Sequence, residues 1–208
     1  MFITFEGGEG SGKTTAIKKI KALLEKEGYQ ILLTREPGGT PISEDIRNII
    51  LAKKNTMMDK RTEALLYAAS RRQHLIEKIW PAIQEGKIVI CDRYLDSSLA
   101  YQGAARKLGI DNVLNINLFA TEGTYPNITF LFDIDPEIGL MRISKNSKRE
   151  VNRLDLEKKE FHQTVRDAFL KLAKRYKDRY IIIDASKSSE EIVKEVYKVI
   201  KDKLNQCK

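Results

Sequence analysis

Residues 7–14 read GGEGSGKT and follow the short apolar run FITFE at residues 2–6. The octet fits the pattern G-x-x-x-x-G-K-[ST] through Gly7, Gly12, Lys13 and Thr14, with Gly8, Glu9, Gly10 and Ser11 in the variable places. It stands between a β-rich segment and the helical pattern TTAIKKIKALLEKEG, residues 14–28, which is the setting its chemistry requires. Glycines let the chain curl so that successive N–H groups point inward, and the helix that starts there adds partial positive charge. Lys13 can then reach β- and γ-phosphates, and Thr14 offers a hydroxyl to Mg²⁺. Gly7 through Thr15 are therefore expected to cradle a nucleoside triphosphate.

Outward from this loop the chain alternates between strand and helix patterns. Apolar or β-branched runs lie at Phe2–Phe5, Ile31–Thr34, Ile88–Cys91, Ile128–Phe132 and Tyr180–Ile183. Each is short and nearly continuous, as strands buried on both faces of a parallel sheet are. Between them, Gly28 ends one helical pattern, Pro41 opens the next, Pro81 interrupts LIEKIWPAIQEG, and Gly86 precedes the third strand. The expectation is an α/β layered fold in one domain over residues 1–208. One segment breaks the pattern: in RISKNSKREVNRLDLEKKE, residues 142–160, the stretch Lys145–Asn152 is charged and lacks the apolar spacing of a packed helix. It reads as a mobile flap, at about residues 144–156, that closes over a nucleotide.

Composition narrows the partners. The first residues carry no basic leader followed by a long apolar stretch, and no apolar run approaches the roughly 18–20 residues that cross a bilayer. A cytoplasmic protein with no membrane partner is expected. The two cysteines, Cys91 and Cys207, have no disulfide or metal-ligand spacing. A formal net charge of +8 suits anionic partners in general. Much of the lysine, however, is mixed with glutamate on helical patterns such as IVKEVYKVIKDKL, as on a solvated face.

The remaining chemistry gathers after the strands. KIVICDRYLDSS, residues 87–98, places Asp92 and Arg93 at the C-terminal end of the third strand, where open parallel sheets bind ligands. An acid there suits the Mg²⁺ shell, and the adjacent arginine suits a second phosphate. TREPGGTPISEDIRN, residues 34–48, brings Arg35, Glu36 and Arg47 towards the same crevice. Tyr67 with Arg71, and Ser98 with Gln102, are spaced i, i+4 on helical patterns, so each pair is expected on one helix face. A ring beside a guanidinium or amide can sandwich a nucleobase while the polar group reads its edge. His74 and His162 have no partner visible in the sequence and read as structural or surface residues.

EGGEGSGKTT, TREPGGT, YAASRRQH, CDRYLDSSLAYQG and NRLD, in this order and spacing, closely resemble the bacterial thymidylate kinases. The resemblance implies the P-loop nucleoside monophosphate kinase fold, three-layered around a five-stranded parallel sheet, and transfer from ATP to dTMP with Mg²⁺. Position by position, it assigns Lys13 and Thr14 to ATP and Mg²⁺, Asp92 to the metal shell, and Glu9 to the 3′-hydroxyl of dTMP. Arg93 and Arg47 would grip the acceptor phosphate, with Arg35 and Glu36 close by. Tyr67 would stack on thymine, Arg71 would donate to its O4, Ser98 and Gln102 would meet the remaining base edge, and Tyr101 would crowd the 2′ position. Arg142 and the backbone at Ala185 would frame adenine.

The phosphate loop has no arginine, so the resemblance turns to the flap for the catalytic one, Arg149 or Arg153. Relatives often carry Arg-x-Glu where this chain has Arg153-x-Asp155, one methylene shorter. Family members form homodimers, and their partner is a small nucleotide rather than nucleic acid. Competing readings are another P-loop nucleoside monophosphate kinase, separated by its base-edge residues, and a nucleic-acid-dependent P-loop ATPase. A regulatory GTPase would add N-K-x-D and D-x-x-G, and neither string occurs.

Overall fold

All five apolar runs are strands in the computed structural model of the chain, which describes residues 1–144 and 153–206. They are β1 (Phe2–Gly7), β2 (Ile31–Arg35), β3 (Ile88–Asp92), β4 (Ile128–Asp133) and β5 (Tyr180–Asp184). They form one sheet in the order β2-β3-β1-β4-β5, with every pairing parallel. Each strand runs one or two residues past its apolar run. Hydrophobicity stops there but the ladder continues, as in the registers Phe5↔Asp92, Arg35↔Asp92 and Asp133↔Asp184. Those polar extensions form the C-terminal edge of the sheet.

The period-2 alternation of side chains sends successive residues to opposite faces and builds two cores. Ile3, Phe5, Ile90, Phe130 and Phe132 pack with α1 (Lys13–Lys26) and α9 (Ser189–Gln206). Phe2, Val89, Cys91 and Leu131 face the opposite layer. That layer contains α3 (Lys60–His74), α4 (Trp80–Gln84), α5 (Leu95–Ser98), α6 (Ile110–Thr121) and α8 (Lys159–Arg175). Two further helices, α2 (Pro41–Leu51) and α7 (Pro136–Ser144), and a 3₁₀ turn at Arg153–Leu156 stand near the C-terminal edge. Among the described residues no helix is long and apolar enough to cross a membrane.

Two helical paths differ from expectation. Pro81 does not end its helix: a π-helical turn, Leu75–Ile79, joins α3 to α4, and Trp80 N–H reaches back to the Leu75 carbonyl. The wider turn feeds Pro81 into the first turn of α4, where its missing donor has no intrahelical partner to satisfy. A second π-helical stretch, Leu99–Ala105, follows α5. Ser98, just before it, and Gln102, within it, both bond side chains of α3, Arg71 and Glu63.

Candidate active site

The phosphate loop leaves β1 at Gly7 and enters α1 through Gly12, which adopts a left-handed conformation at the N-cap. Gly10 is also left-handed, and a Cβ on it would lie 2.1 Å from the Gly139 carbonyl of α7. Only glycine permits that approach. Lys13 is buried, and its Nζ donates to Gly7 O at 3.0 Å, Gly8 O at 3.0 Å and Ser11 Oγ at 3.1 Å. Burial, then the neighbouring Arg93, pulls its pKa down to about 8. Thr14 Oγ1 donates to Asp92 Oδ2 at 3.1 Å, so the two oxygens expected in a metal shell already touch.

Beyond the loop opens a cleft of about 510 Å³ along the C-terminal edge. Glu9 through Thr15 form one wall, with Asp92 and Arg93 beside them. Arg93 has φ 70, a strained value for a residue with a side chain, directly after β3. That turn aims the guanidinium at the loop: Nη1 donates to Gly7 O at 2.9 Å and Nη2 to Glu9 Oε1 at 2.7 Å. Tyr101 Oη donates to the same Glu9 oxygen at 3.2 Å, and its ring lies under Arg93, 5.2 Å from guanidinium carbon to centroid. Arg93 Nη1 also donates to Ser97 Oγ at 3.2 Å, and Ser97 donates at 2.6 Å to the buried Glu6. Burial and then Asp96 raise the Glu6 carboxyl to about 7.

The far half of the cleft is lined by Tyr67, Arg71, Gln102, Arg47 and Arg35. Arg35 Nη2 pairs with Glu44 at 2.9 Å, and Arg47 Nη1 donates to Pro37 O at 2.8 Å. Arg71 is buried, with Nε on Glu36 Oε2 at 2.7 Å and Nη1 on Ser98 Oγ at 3.1 Å and on Asn117 Oδ1. Ser98 thus supports Arg71 from behind and does not line the cleft. Gln102 lines it while donating to Glu63 Oε1 at 2.9 Å. At the other end, Arg142 Nη1 donates to Ala185 O at 3.0 Å, which brings together the two positions expected at adenine.

The flap residues divide. Arg149 lies outside the described residues. Arg153 is docked away from the phosphate loop, with Nε on Ile50 O at 3.1 Å and Nη2 on Glu63. Glu63 is the buried hub of this corner: it also accepts from Arg106, and Arg106 pairs with Glu157 at 2.7 Å. Desolvation opposes its charge, yet the donors Gln102, Arg153 and Arg106 hold its carboxyl below the usual range.

The sequence profile described as thymidylate kinase matches residues 5–196. This chain belongs to the thymidylate kinase family. It is 58% identical over 203 residues to the thymidylate kinase of Geobacillus sp. (strain WCH70), covering 98% of this chain and 97% of that one. Against the thymidylate kinase of Bacillus velezensis the identity is 55% over 206 residues, with 99% and 97% covered. The crystal structure of thymidylate kinase from Ehrlichia chaffeensis superposes with a TM-score of 0.78 at 35% identity, covering 96% of this chain and 98% of that one.

Within this family fold, several site residues carry no sequence signal of their own. Glu63, Ser97 and Asn117 bond partners 39 to 91 positions away. His74, read as partnerless, is fully buried between Thr34 Oγ1 at 2.7 Å and Glu36 Oε1 at 3.0 Å. The ligand atoms of Glu36, His74 and Cys91 lie within 4.8 Å of one another, but all are already hydrogen-bonded, the thiol to Arg93 O at 3.1 Å. Burial holds that thiol protonated, so the three residues do not form a thiolate metal site.

Proposed function

We propose that the chain phosphorylates dTMP, moving the γ-phosphoryl group of ATP to the dTMP phosphate and releasing ADP and dTDP. The observation that carries this reading is the placement of Arg93 between the phosphate loop and a pocket walled by Tyr67 and Arg71. An acceptor phosphate on Arg93 then sits beside the γ-phosphate on Lys13, with a base-sized slot beyond it. A nucleotide phosphate is anionic at neutral pH, so an oxygen attacks phosphorus, the bond to the β-phosphate oxygen breaks, and no side chain need take a proton. The protein's contribution is alignment and neutralisation of charge.

In this reading Lys13 and the loop amides hold the β- and γ-phosphates, and Arg142 with the Ala185 backbone frames adenine. Thr14 and Asp92, an all-oxygen pair, suit Mg²⁺, which when bound shields phosphate charge. Glu9 meets the 3′-hydroxyl, and Tyr101 closes the 2′ side. Arg93 and Arg47 hold the acceptor phosphate, with Arg35 at its rim. Tyr67 stacks on thymine, Arg71 donates to O4, and Gln102 meets the adjoining edge. Ser98 and Glu36 set Arg71 in place. Arg149 supplies the transfer arginine.

We further infer that the chain works as one catalytic domain in a cytoplasmic homodimer. Leu65 on α3, Ile76 in the following turn and Phe119 on α6 are 55%, 44% and 90% exposed, an apolar set on adjoining helices that a second copy would cover.

The test is a coupled ADP-release assay across dTMP, dUMP, dCMP, dGMP and AMP with Mg²⁺ present. The expected order places dTMP first, dUMP next and dCMP far behind. Equal or greater turnover of dCMP or of a purine nucleotide overturns the assignment.

A further inference from the structure

Arg71 can read a base only if its guanidinium is held in one plane, and the hydrogen bonds that hold it lead back to a histidine. Its Nε donates to Glu36 Oε2 at 2.7 Å and its Nη1 to Ser98 and Asn117. Among the described residues Nη2 has no hydrogen-bond partner, and Arg71 lines the cleft, so Nη2 remains for a ligand. Glu36 is itself on a soft torsion, because the terminal sp³–sp² rotation of a carboxylate is broad. Its second oxygen, Oε1, meets His74 Nδ1 at 3.0 Å. A carboxylate only accepts, so Nδ1 carries a proton towards it, while Nε2 lies 2.7 Å from Thr34 Oγ1. His74 is fully buried, and the chain closes tightly on it: a Cβ on Gly39 would stand 2.6 Å from Nε2. The imidazole is thus held between Thr34, Glu36 and the Gly39 backbone.

We propose that His74 is a positioning residue for base selection, locking the Glu36 carboxylate and through it the plane of Arg71. This rests on the reading of Arg71 as the O4 donor. Thymine offers an acceptor at O4 where cytosine offers an amino donor, so discrimination depends on a donor that cannot turn aside. An Arg71 free to swing would lose its bond to thymine and relieve its clash with cytosine, and both changes lower the dTMP-to-dCMP ratio.

Two near-isosteric variants separate positioning from packing. The amide of His74→Asn falls near Nδ1 and keeps the donor to Glu36, whereas that of His74→Gln falls near Nε2 and keeps only Thr34. The measurements are kcat/KM for dTMP and dCMP, KM for ATP and the melting temperature, with assays run below the melting point of the least stable variant. His74→Gln is expected to lower the dTMP-to-dCMP ratio roughly 10–100-fold, the scale of a displaced positioning group, with KM for ATP unmoved. His74→Asn is expected to retain the ratio. A ratio unchanged in both variants, or lowered equally in both, overturns the proposal, and loss in His74→Asn alone does so by itself. Arg71→Ala is the companion. If it keeps the parent's ratio, base reading by Arg71 fails. If it collapses the ratio while both His74 variants keep it, only the positioning role fails.

Discussion

Lys13 meets its ligand with every ammonium hydrogen already engaged, by Gly7 O, Gly8 O and Ser11 Oγ. A triphosphate must replace those contacts, and its charge must also restore a proton affinity that burial and Arg93 have lowered to about 8. The sign follows: from about pH 8 upward the free protein has partly lost the Lys13 proton, so ATP binding takes one up and affinity falls as pH rises. Calorimetry at about pH 8.5 in two buffers of unlike ionisation enthalpy should give different apparent enthalpies, and Lys13→Arg should erase the difference. Equal enthalpies for the parent would exclude a titrating Lys13.

Glu6 behaves oppositely in stability. Its carboxyl, raised from 4.5 to about 7 in the folded chain, contributes stability fully present below 4.5 and lost as pH climbs through 7. Glu6→Gln should remove that dependence, so the parent's melting temperature relative to the variant's should decline between about pH 5 and pH 8. A constant difference would place the titration elsewhere. Because Glu6 reaches Arg93 through Ser97, KM for dTMP is expected to rise in Ser97→Ala, with KM for ATP less affected.

At the scale of elements, the Arg153–Leu156 turn sits on α3. Arg153 bonds Ile50 O and Glu63, and Leu154 lines the cleft, so this turn roofs the acceptor half rather than the transfer point. Arg153→Ala should chiefly raise KM for dTMP. Arg149→Ala should lower kcat, by the roughly 10³–10⁵ that a transfer arginine contributes. Steady-state constants for both variants decide this, and a kcat loss confined to Arg153→Ala would reverse the assignment.

These elements differ in how readable they were. The strands announce themselves because a segment buried on both faces must be apolar throughout, and the loop because its glycines and lysine are needed at fixed spacing. The π-helical turns at Leu75–Ile79 and Leu99–Ala105 escape notice, since a shift of hydrogen bonding to i→i+5 needs no particular residue. From the sequence alone Pro81 therefore suggests a break in its helix. Glu63 and His74 were hidden differently: their partners belong to distant strands and helices, and only folding brings them together.

For the molecule as a whole, the two cores leave α3 and α6 with an apolar outer surface next to the acceptor pocket. Phe119→Glu puts a charge where the second copy is expected and should yield a monomer by size-exclusion with light scattering, with the far-ultraviolet circular dichroism unchanged. A parent that runs as a monomer, or a variant that stays dimeric, would count against that interface.

Gly10 and Gly139 touch backbone to backbone, and a Cβ on Gly139 would stand 2.3 Å from the Glu9 carbonyl. No side chain lies between the phosphate loop and α7 there to bend and absorb a displacement. The joint acts as a bare bearing: a small tilt of α7 arrives at the Glu9–Gly10 peptide undamped. Since α7 carries Arg142 at one end of the cleft, the loop is geared to that residue by the lack of two methyl groups.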